Sequence, residues 1–511
     1  MNTAINHYQS FPDAQCLLEA LRGMDYTPAS AIADLIDNSI SANATEVHLL
    51  FLPQNDKNPK PIVVIADNGT GMASDELLKA MRLGGINPRN SRKVTDLGRF
   101  GLGLKTASFS QCRRLTVYSR KNKKSSCFCW DLDYIANNKE NGGWNILDGK
   151  IPSHSEIKKQ ISRIKHGTAV IWEELDRFLP NGISEENFIE AIKAVELYLR
   201  LYFHRFLQQP AQRLKIFING HAVKALDPFM ETNSRTSKSP EQKLGSNEDS
   251  VSFCGFILPH KDKLTPEQYS EGGCINGWVS HEGFYVYRNE RLLLPGSWLG
   301  LGRHSHDKKR WIQDELHQLV RIRLDITNRC DENWKIDIRK SSASPPLSIQ
   351  KELTRLAERL REQARKVYVF RGGYKSRQEK EDYTYIWTPM ESTQGKIRYC
   401  INTEHPLIVS LLQKSDNLAT DLKSLFKILE NTVPVQKIWL DSAEGKDVET
   451  LPELACSNTQ QYEQIQQFIQ ELLALGNKTI AEIQDILIHT PPFNSQETLI
   501  TKVCEDLKKS K

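Results

Sequence analysis

Two carboxylates and an amide lie within five residues in the stretch DLIDNSISA, residues 34–42. Asp34, Asp37 and Asn38 are spaced so that a helix places all three on one face. Such a face has two interpretations: a solvated helix surface, or a site for magnesium and water. In the second interpretation the amide oxygen of Asn38 binds the hard cation, and Asp34 deprotonates the water that attacks a γ-phosphate.

Three other stretches combine glycines with polar side chains: VIADNGTGM (64–72), GRFGLGLKTAS (98–108) and HGTAV (166–170). Asp67 ends an apolar run that predicts a strand, so its carboxylate is placed to accept a hydrogen bond from the amino group of an adenine. Gly69 and Gly71 have no Cβ and let the backbone approach a base closely. Met72 then packs on the face of that base.

The second of these stretches has the pattern of a phosphate site. Gly101 and Gly103 open a predicted helix, whose terminal N–H groups and dipole favour a phosphate. Lys105 and Thr106 lie in its first turn and add a charge and a hydroxyl donor, and Thr168 in HGTAV completes the nucleotide-binding set. Each glycine pattern alone is common, so the prediction depends on all four stretches together.

Composition is ordinary for a globular protein. The chain has 511 residues, of which 39% are hydrophobic and 26% charged, and its formal net charge is +5. No apolar run reaches the roughly 18 residues of a membrane span, and the start lacks a secretory signal. We therefore expect a cytoplasmic protein without a membrane segment, whose ten cysteines, Cys127 and Cys129 included, are reduced thiols.

Helical and strand patterns follow one another along the first half of the chain and predict a two-layer α/β sandwich. Residues 15–43 are predicted to be helical, and later helices are predicted to be capped by Ser74 and Ser184. The polar segment 231–250 is predicted to be a flexible loop. Predicted domains cover residues 1–210, 211–366 and 367–511, the last mostly helical.

The four stretches, in this order and spacing, resemble the GHKL ATPases, a superfamily that includes gyrase, the ninety-kilodalton heat-shock chaperones, histidine kinases and MutL. The resemblance covers about residues 15–180 and is greatest to the MutL and MORC branch, because of DNSISANATEV (37–47) and Lys105. It implies a Bergerat-type α/β sandwich that binds ATP with Mg²⁺ and hydrolyses it.

Two later stretches, YVYRNERLLL (285–294) and WKIDIRKSSASPP (334–346), are similar to the transducer domain that follows the ATPase module in gyrase, MutL and MORC proteins. In those families a transducer lysine reaches the γ-phosphate. The resemblance assigns this role to Lys340, with Arg339 as the second choice. A solvated surface lysine is the alternative interpretation of Lys340.

The chain departs from the family at the general base, which is a glutamate in most members and Asp34 here. Because aspartate lacks one methylene, its carboxylate lies about 1.5 Å farther from the water. A shift near 1 Å in a catalytic group costs on the order of 10²-fold in rate. Hydrolysis is therefore expected to be slow unless the backbone compensates. The resemblance gives Asp37 a structural or adenine-side role.

The implied function is an ATPase that dimerises on ATP binding through an arm of residues 1–14 and closes as a clamp on DNA. DNA repair or phage defence, with a nuclease or helicase supplied by partner proteins, is the expected setting. Two alternatives stay open: an ATP-gated binding module with little hydrolysis, and a chaperone-like clamp on proteins.

Basic residues are concentrated in residues 351–380, where ten Lys or Arg accompany four Glu. This segment either contacts a phosphate backbone or is a solvated helix with internal ion pairs. A further stripe of aromatic side chains at helical spacing is predicted to be core rather than a ligand pocket. It comprises Tyr198, Tyr202, Phe203 and Phe206.

Overall fold

The structure is a computed structural model with two compact units, Met1–Tyr374 and Lys375–Lys511. It describes residues 12–54, 60–84, 103–138, 143–179, 184–208, 213–245, 250–303, 310–327, 330, 333–336, 343–369, 386–391, 397–412, 416–433, 458–474, 479–489 and 497–509. No helix in these ranges is long and apolar enough to cross a membrane.

The first unit contains two sheets. Within the described residues the first sheet has eight strands: β1 (Glu46–Leu52), β2 (Ile62–Asp67), β3 (Arg114–Lys121), β4 (Lys124–Asp131), β5 (Leu147–Asp148), β6 (Gly167–Glu173), β7 (Lys215–Ile218) and β8 (His221–Ala222). Their order is β5-β4-β3-β6-β2-β1-β7-β8. Only β1 and β7 pair in parallel among these neighbours. The sheet therefore extends past residue 210.

Eight helices of the described chain precede or accompany this sheet: α1 (Ala14–Arg22), α2 (Pro28–Ser41), α3 (Ser74–Met81), α4 (Gly103–Phe109), α5 (Leu132–Asn137), α6 (Ser155–Arg163), α7 (Glu185–Tyr202) and α8 (His204–Leu207). The main core joins α1, α2, α4 and α7 to one sheet face, where Val63 and Ile65 are buried. Helix α6 covers part of the other face over Val64. Successive side chains of β2 therefore point to opposite faces of the sheet and enter different cores. Because both faces of β2 are covered, its sequence is apolar without a polar alternation. The predicted α/β sandwich is confirmed.

Two local predictions were wrong in detail. The region 15–43 is two helices, because the chain turns after Arg22 and restarts at Pro28, with Thr27 as the N-cap of α2. Pro fits the first helical position because that position needs no N–H donor. The N-cap of α3 is Ala73 and not Ser74, and the side chain of Glu76 accepts from the Ala73 N–H. Ser184 does cap α7.

The second sheet comprises β9 (Ser237–Lys238), β10 (Gln242–Leu244), β11 (Val251–Ile257), β12 (Gly283–Arg288), β13 (Arg291–Leu294) and β14 (Val320–Ile326). Its order is β10-β11-β14-β12-β13, and β9 also pairs with β11. The strands β9 and β10 correct the prediction that residues 231–250 form a flexible loop. Helix α9 (Pro266–Gly272) lies between β11 and β12, and α10 (Leu347–Val369) follows the last strand and contributes Leu353 and Leu360 to the core of this sheet.

A tight hairpin joins β12 to β13. Its two central residues, Asn289 and Glu290, have φ angles of 48° and 69°. Positive φ at both positions is the signature of a two-residue loop whose twist matches the strands. The hairpin places Arg291 at the start of β13, where it faces the first sheet's helices.

The second unit is mostly helical where it is described, as predicted. It contains a hairpin of β15 (Trp387–Glu391) and β16 (Ile397–Ile401), followed by α11 (Pro406–Leu412), α12 (Asp416–Thr432), α13 (Asn458–Ala474), α14 (Ile480–Ile488) and α15 (Glu497–Lys509). The last three helices share a small core that includes Ile469, Leu487 and Val503.

Candidate active site

Helix α2 carries the acids and the amide that the sequence singled out. The side chains of Thr27 and Ser30 each bond the other's backbone N–H, so the helix begins with a reciprocal cap. Residues 31–37 and 39 are buried, and Asn38 alone among residues 31–39 is exposed. The helix is therefore a core element with one polar opening, which argues against a solvated face.

Asp67 is at the end of β2 and receives three hydrogen bonds. Its Oδ1 accepts from the backbone N–H groups of Gly69 at 2.8 Å and Thr168 at 3.3 Å, and its Oδ2 accepts from the Ser39 hydroxyl at 3.1 Å. Burial raises the pKa of Asp67, although these donors favour the charged form. The carboxylate is thus fixed in orientation, as recognition of an amino group requires.

The glycines of this region make room for protein backbone. Gly71 has a φ of +65°, and a Cβ there would lie 2.1 Å from the carbonyl oxygen of Arg120. Gly167 has a φ of +132°, and a Cβ there would lie 2.1 Å from the carbonyl oxygen of Asp67. A side chain at either position would separate the strands that hold the Asp67 turn.

Ser119 is a member of the site that sequence reasoning missed. Its buried hydroxyl accepts from the Met72 N–H at 2.8 Å, donates to the Gly167 carbonyl at 3.1 Å and lies 3.0 Å from the Thr168 hydroxyl. It therefore joins the Met72 turn to Thr168 at the start of β6. A serine inside strand β3 gives no sequence signal for this role.

The start of α4 lies beside Asp34, because a Cβ built on Gly103 would be 3.9 Å from Asp34 Oδ2. In the same helix Thr106 is fully buried. The Lys105 ammonium donates to the carbonyl oxygens of Ala80 at 2.8 Å and Arg82 at 2.9 Å, at the end of α3. Burial lowers the pKa of Lys105 to about 8. A contact between Lys105 and a phosphate stays a prediction.

Helix α2 thus lies next to the three other stretches. Ser39 bonds Asp67, Asp34 adjoins Gly103, and a Cβ on Gly69 would lie 2.9 Å from the carbonyl oxygen of Ala42, just after the helix. Thr168 joins the group through Asp67. Stretches separated by up to about 130 positions are therefore brought to one side of the sheet.

Comparison with known proteins agrees with this geometry. Residues 26–168 match the family described as histidine kinase-, DNA gyrase B-, and HSP90-like ATPase. The ATPase morc-1 of Caenorhabditis elegans is 33% identical over 118 residues, which cover 22% of this chain and 13% of that protein. The DNA mismatch repair protein MutL of Shewanella loihica is 34% identical over 103 residues, covering 20% of this chain and 16% of that protein.

Residues 26–168 therefore match a GHKL-type ATPase domain, and MORC and MutL proteins are among the relatives that resemble this segment. A longer similarity, to the mouse structural maintenance of chromosomes flexible hinge domain-containing protein 1, is 27% identical over 310 residues. It covers 50% of this chain and 15% of that protein, so it extends beyond the ATPase domain. The chain spans less than a fifth of the length of each of these three relatives.

A magnesium ion that arrives with a nucleotide would need few protein ligands. In the described part of the chain no group of three or more His, Cys, Asp or Glu side chains could hold a metal ion. Mg²⁺ commonly takes one or two protein oxygens and completes its shell with phosphates and waters. The exposed amide of Asn38 fits that limited share, and when bound the ion would neutralise phosphate charge.

Asp37 has a structural partner far along the sequence. Its Oδ1 accepts from Arg291 Nε at 2.9 Å, and the two side chains are 1% and 4% exposed. The Arg291 guanidinium also lies 4.2 Å from the ring centre of Phe203 and 5.3 Å from that of Tyr202. This buried pair joins α2 to β13, and no pattern of residues indicated Arg291 as the partner of Asp37.

Two predicted site residues, Gly101 and Lys340, lie outside the described residues, as does Arg339. The predicted aromatic stripe is partly core, with Phe203 and Phe206 buried. Tyr198 and Tyr202 are stacked with ring centres 3.7 Å apart. The described cysteines, Cys127 and Cys129 among them, are all free thiols.

Proposed function

We propose that this chain is a Mg²⁺-dependent ATPase whose ATP-bound form dimerises and closes as a clamp on DNA. The observation that carries the ATPase part is the position of α2 against the three other stretches. Asp67 accepts from the adenine amino group, and Gly101, Gly103, Lys105 and Thr106 surround the phosphates. Asn38 holds the magnesium ion, and Asp34 activates the attacking water.

The chemistry assigned to these residues follows from their donor and acceptor types. A carboxylate held by backbone N–H groups stays an acceptor, so Asp67 discriminates in favour of a base that presents an amino group. Asp34 is 7% exposed and lies beside the first turn of α4, where a phosphate would bind. A buried carboxylate at that point is suited to accept a proton from water.

ATP turnover with Mg²⁺ tests the proposal. Asp34→Asn keeps the size of the side chain but removes the base, so kcat should fall by about 10²-fold or more with ATP binding retained. Asn38→Ala should weaken the Mg²⁺ dependence of both binding and turnover. Asp75→Asn, on an exposed position of α3, is the matched control and should behave as wild type. Turnover that survives Asp34→Asn would contradict the assignment.

A second function has a specific observation in its favour. The proposed base is an aspartate, which favours ATP binding with slow hydrolysis, and the chain would then act as an ATP-gated binding module. Magnesium-dependent ATP binding that drives dimerisation, without turnover in the wild type, would support this alternative. Light scattering with ATP, and with a non-hydrolysable analogue, measures the dimerisation.

The clamp on DNA is supported by the MutL relative, whose name places that protein in DNA mismatch repair. In the described part of α10 five basic residues are exposed beside three acidic ones: Lys351, Arg355, Arg359, Arg365 and Lys366, with Glu352, Glu358 and Glu362. Arg361 is buried between Trp298 and Trp311, so it does not contribute to this surface. The remaining basic residues of 351–380 lie outside the described residues.

Filter binding to duplex DNA at rising salt tests the clamp. The double variant Arg355→Glu, Arg359→Glu should bind DNA more weakly. The slope of log affinity against log salt concentration should also become shallower by about one for each phosphate contact that is lost. Wild-type protein that fails to bind at about 50 mM salt would contradict the DNA proposal. The proposal also includes partner proteins, such as a nuclease or a helicase. It places the chain in the reducing cytoplasm, in DNA repair or phage defence.

A further inference from the structure

The proposed base, Asp34, accepts a hydrogen bond from a tyrosine hydroxyl. The Tyr26 hydroxyl donates to Asp34 Oδ2 at 2.9 Å. Tyr26 comes just before the N-cap Thr27, so its ring lies beside α2 and its hydroxyl reaches a residue more than one helical turn into the helix. The same Oδ2 is the oxygen that adjoins Gly103 at the start of α4.

Contacts with neighbouring residues hold Tyr26 in place. Its carbonyl oxygen accepts from Gln111 Nε2 at 3.2 Å, and Gln111 is 1% exposed, just after α4. Its N–H donates to the Met24 carbonyl at 2.7 Å. The ring is partly buried against the main core. Tyr26 is therefore tied to α4 by its backbone and to α2 by its hydroxyl.

This arrangement bears on the shorter base. Aspartate has one fewer side-chain torsion than glutamate, and a hydrogen bond to one carboxylate oxygen restricts the torsion that turns the carboxylate plane. A phenol hydroxyl is a donor at neutral pH, so it holds one oxygen of the Asp34 carboxylate in a fixed direction. The oxygen that this hydroxyl holds, Oδ2, is also the one that adjoins Gly103, where phosphate is proposed to bind.

We propose that Tyr26 is a positioning residue for ATP hydrolysis, which orients Asp34 and offsets the loss of one methylene from the base. The inference rests on the proposed function, because it assigns a role relative to Asp34 as base. Tyr26 makes no contact with ATP in this scheme. Its effect is on the chemical step and not on nucleotide affinity.

The test compares Tyr26→Phe with wild type in the full chain, and measures kcat and KM for ATP under the same conditions. Removal of the hydroxyl should lower kcat about tenfold and change KM less than about twofold, because ground-state binding is untouched. A merely structural tyrosine would instead lower the stability of the chain or raise KM, and would not lower kcat alone.

Two further variants make the outcome decisive. Tyr134→Phe removes an exposed hydroxyl that accepts from Asn138 at 2.7 Å, and it should match wild type. Tyr26→Phe combined with Asp34→Asn should have the same kcat as Asp34→Asn alone, because the hydroxyl acts through the carboxylate.

An unchanged kcat in Tyr26→Phe would overturn the inference, as would a loss confined to KM or a multiplicative loss in the double variant. In those cases the proposed function stands, provided that wild type hydrolyses ATP and Asp34→Asn does not. Wild type without turnover, or Asp34→Asn with full turnover, would instead overturn the proposed function and this inference with it.

Discussion

At the scale of single residues, the site depends on side chains whose polar groups are fixed before any ligand arrives. Asp67 accepts hydrogen bonds from Ser39, Gly69 and Thr168. Asp34 accepts one from the hydroxyl of Tyr26, which comes just before helix α2. Fixed acceptors of this kind do not have to reorganise when a substrate binds. The sequence pointed to both acids but not to their donors. Two of the donors are backbone N–H groups, which have no side-chain signature, and the Ser39 and Tyr26 hydroxyls reach the acids only in the folded chain.

A buried glutamate of the second sheet predicts a pH dependence of stability. Glu282 is fully buried beside Asp314 and Arg361, and burial raises its pKa to about 8. Between pH 4.5 and 8 the folded chain therefore binds a proton that the unfolded chain releases, so the free energy of unfolding falls as the pH rises. The limiting slope for one group is about 1.4 kcal/mol per pH unit.

Glu282→Gln should remove this dependence. The variant should gain stability relative to wild type as the pH rises from about 5 to 8, in urea unfolding experiments at matched pH values. Glu190→Gln, at an exposed position on α7, is the control. A difference between Glu282→Gln and wild type that does not vary with pH would show that Glu282 is ionised in the folded protein.

At the scale of elements, glycine turns hold the strands around Asp67 at close range. Gly71→Ala should lower the free energy of unfolding by about 3 kcal/mol or more, because a left-handed conformation and a clash with the Arg120 carbonyl add together. Gly220→Ala is the matched control, since its φ is +88° and nothing lies within 4 Å of the added Cβ. It should cost only about 1–2 kcal/mol.

Urea unfolding measures both glycine variants, and the difference between them isolates the close backbone approach from the strain of positive φ. Gly71→Ala should also lose ATP binding, because the turn that carries Met72 would shift. Equal destabilisation by the two substitutions would show that the strands can separate without cost.

The Asp37–Arg291 pair predicts strong coupling between α2 and β13. Asp37→Asn and Arg291→Met should each cost about 3 kcal/mol or more, because each leaves a buried charge without its partner. The double variant should cost clearly less than the sum, with a coupling energy of about 1–3 kcal/mol. A double-mutant cycle by urea unfolding gives this value. If the losses of unfolding free energy in the two single variants add up to the loss in the double variant, the two side chains do not stabilise each other.

At the scale of the whole molecule, sequence patterns predicted the elements better than their contacts. The strands β1, β2, β3 and β6 follow from apolar runs and turn residues, and the order of four motifs predicted the ATPase domain. The Asp37–Arg291 contact joins residues 254 positions apart, and the participation of β7 in the first sheet is equally non-local. Local patterns do not determine such pairings, because only the packed fold brings these segments together.

The proposed nucleotide site is tested by the affinity of the full chain for ATP with Mg²⁺, measured by isothermal titration calorimetry in wild type and Asp67→Asn. The substitution replaces a fixed acceptor by an amide that presents a donor to the adenine amino group. We expect binding to wild type and a loss of about 100-fold or more in the variant, with its thermal unfolding cooperative. Equal ATP affinity in the two proteins, or no binding to wild type, would contradict the account.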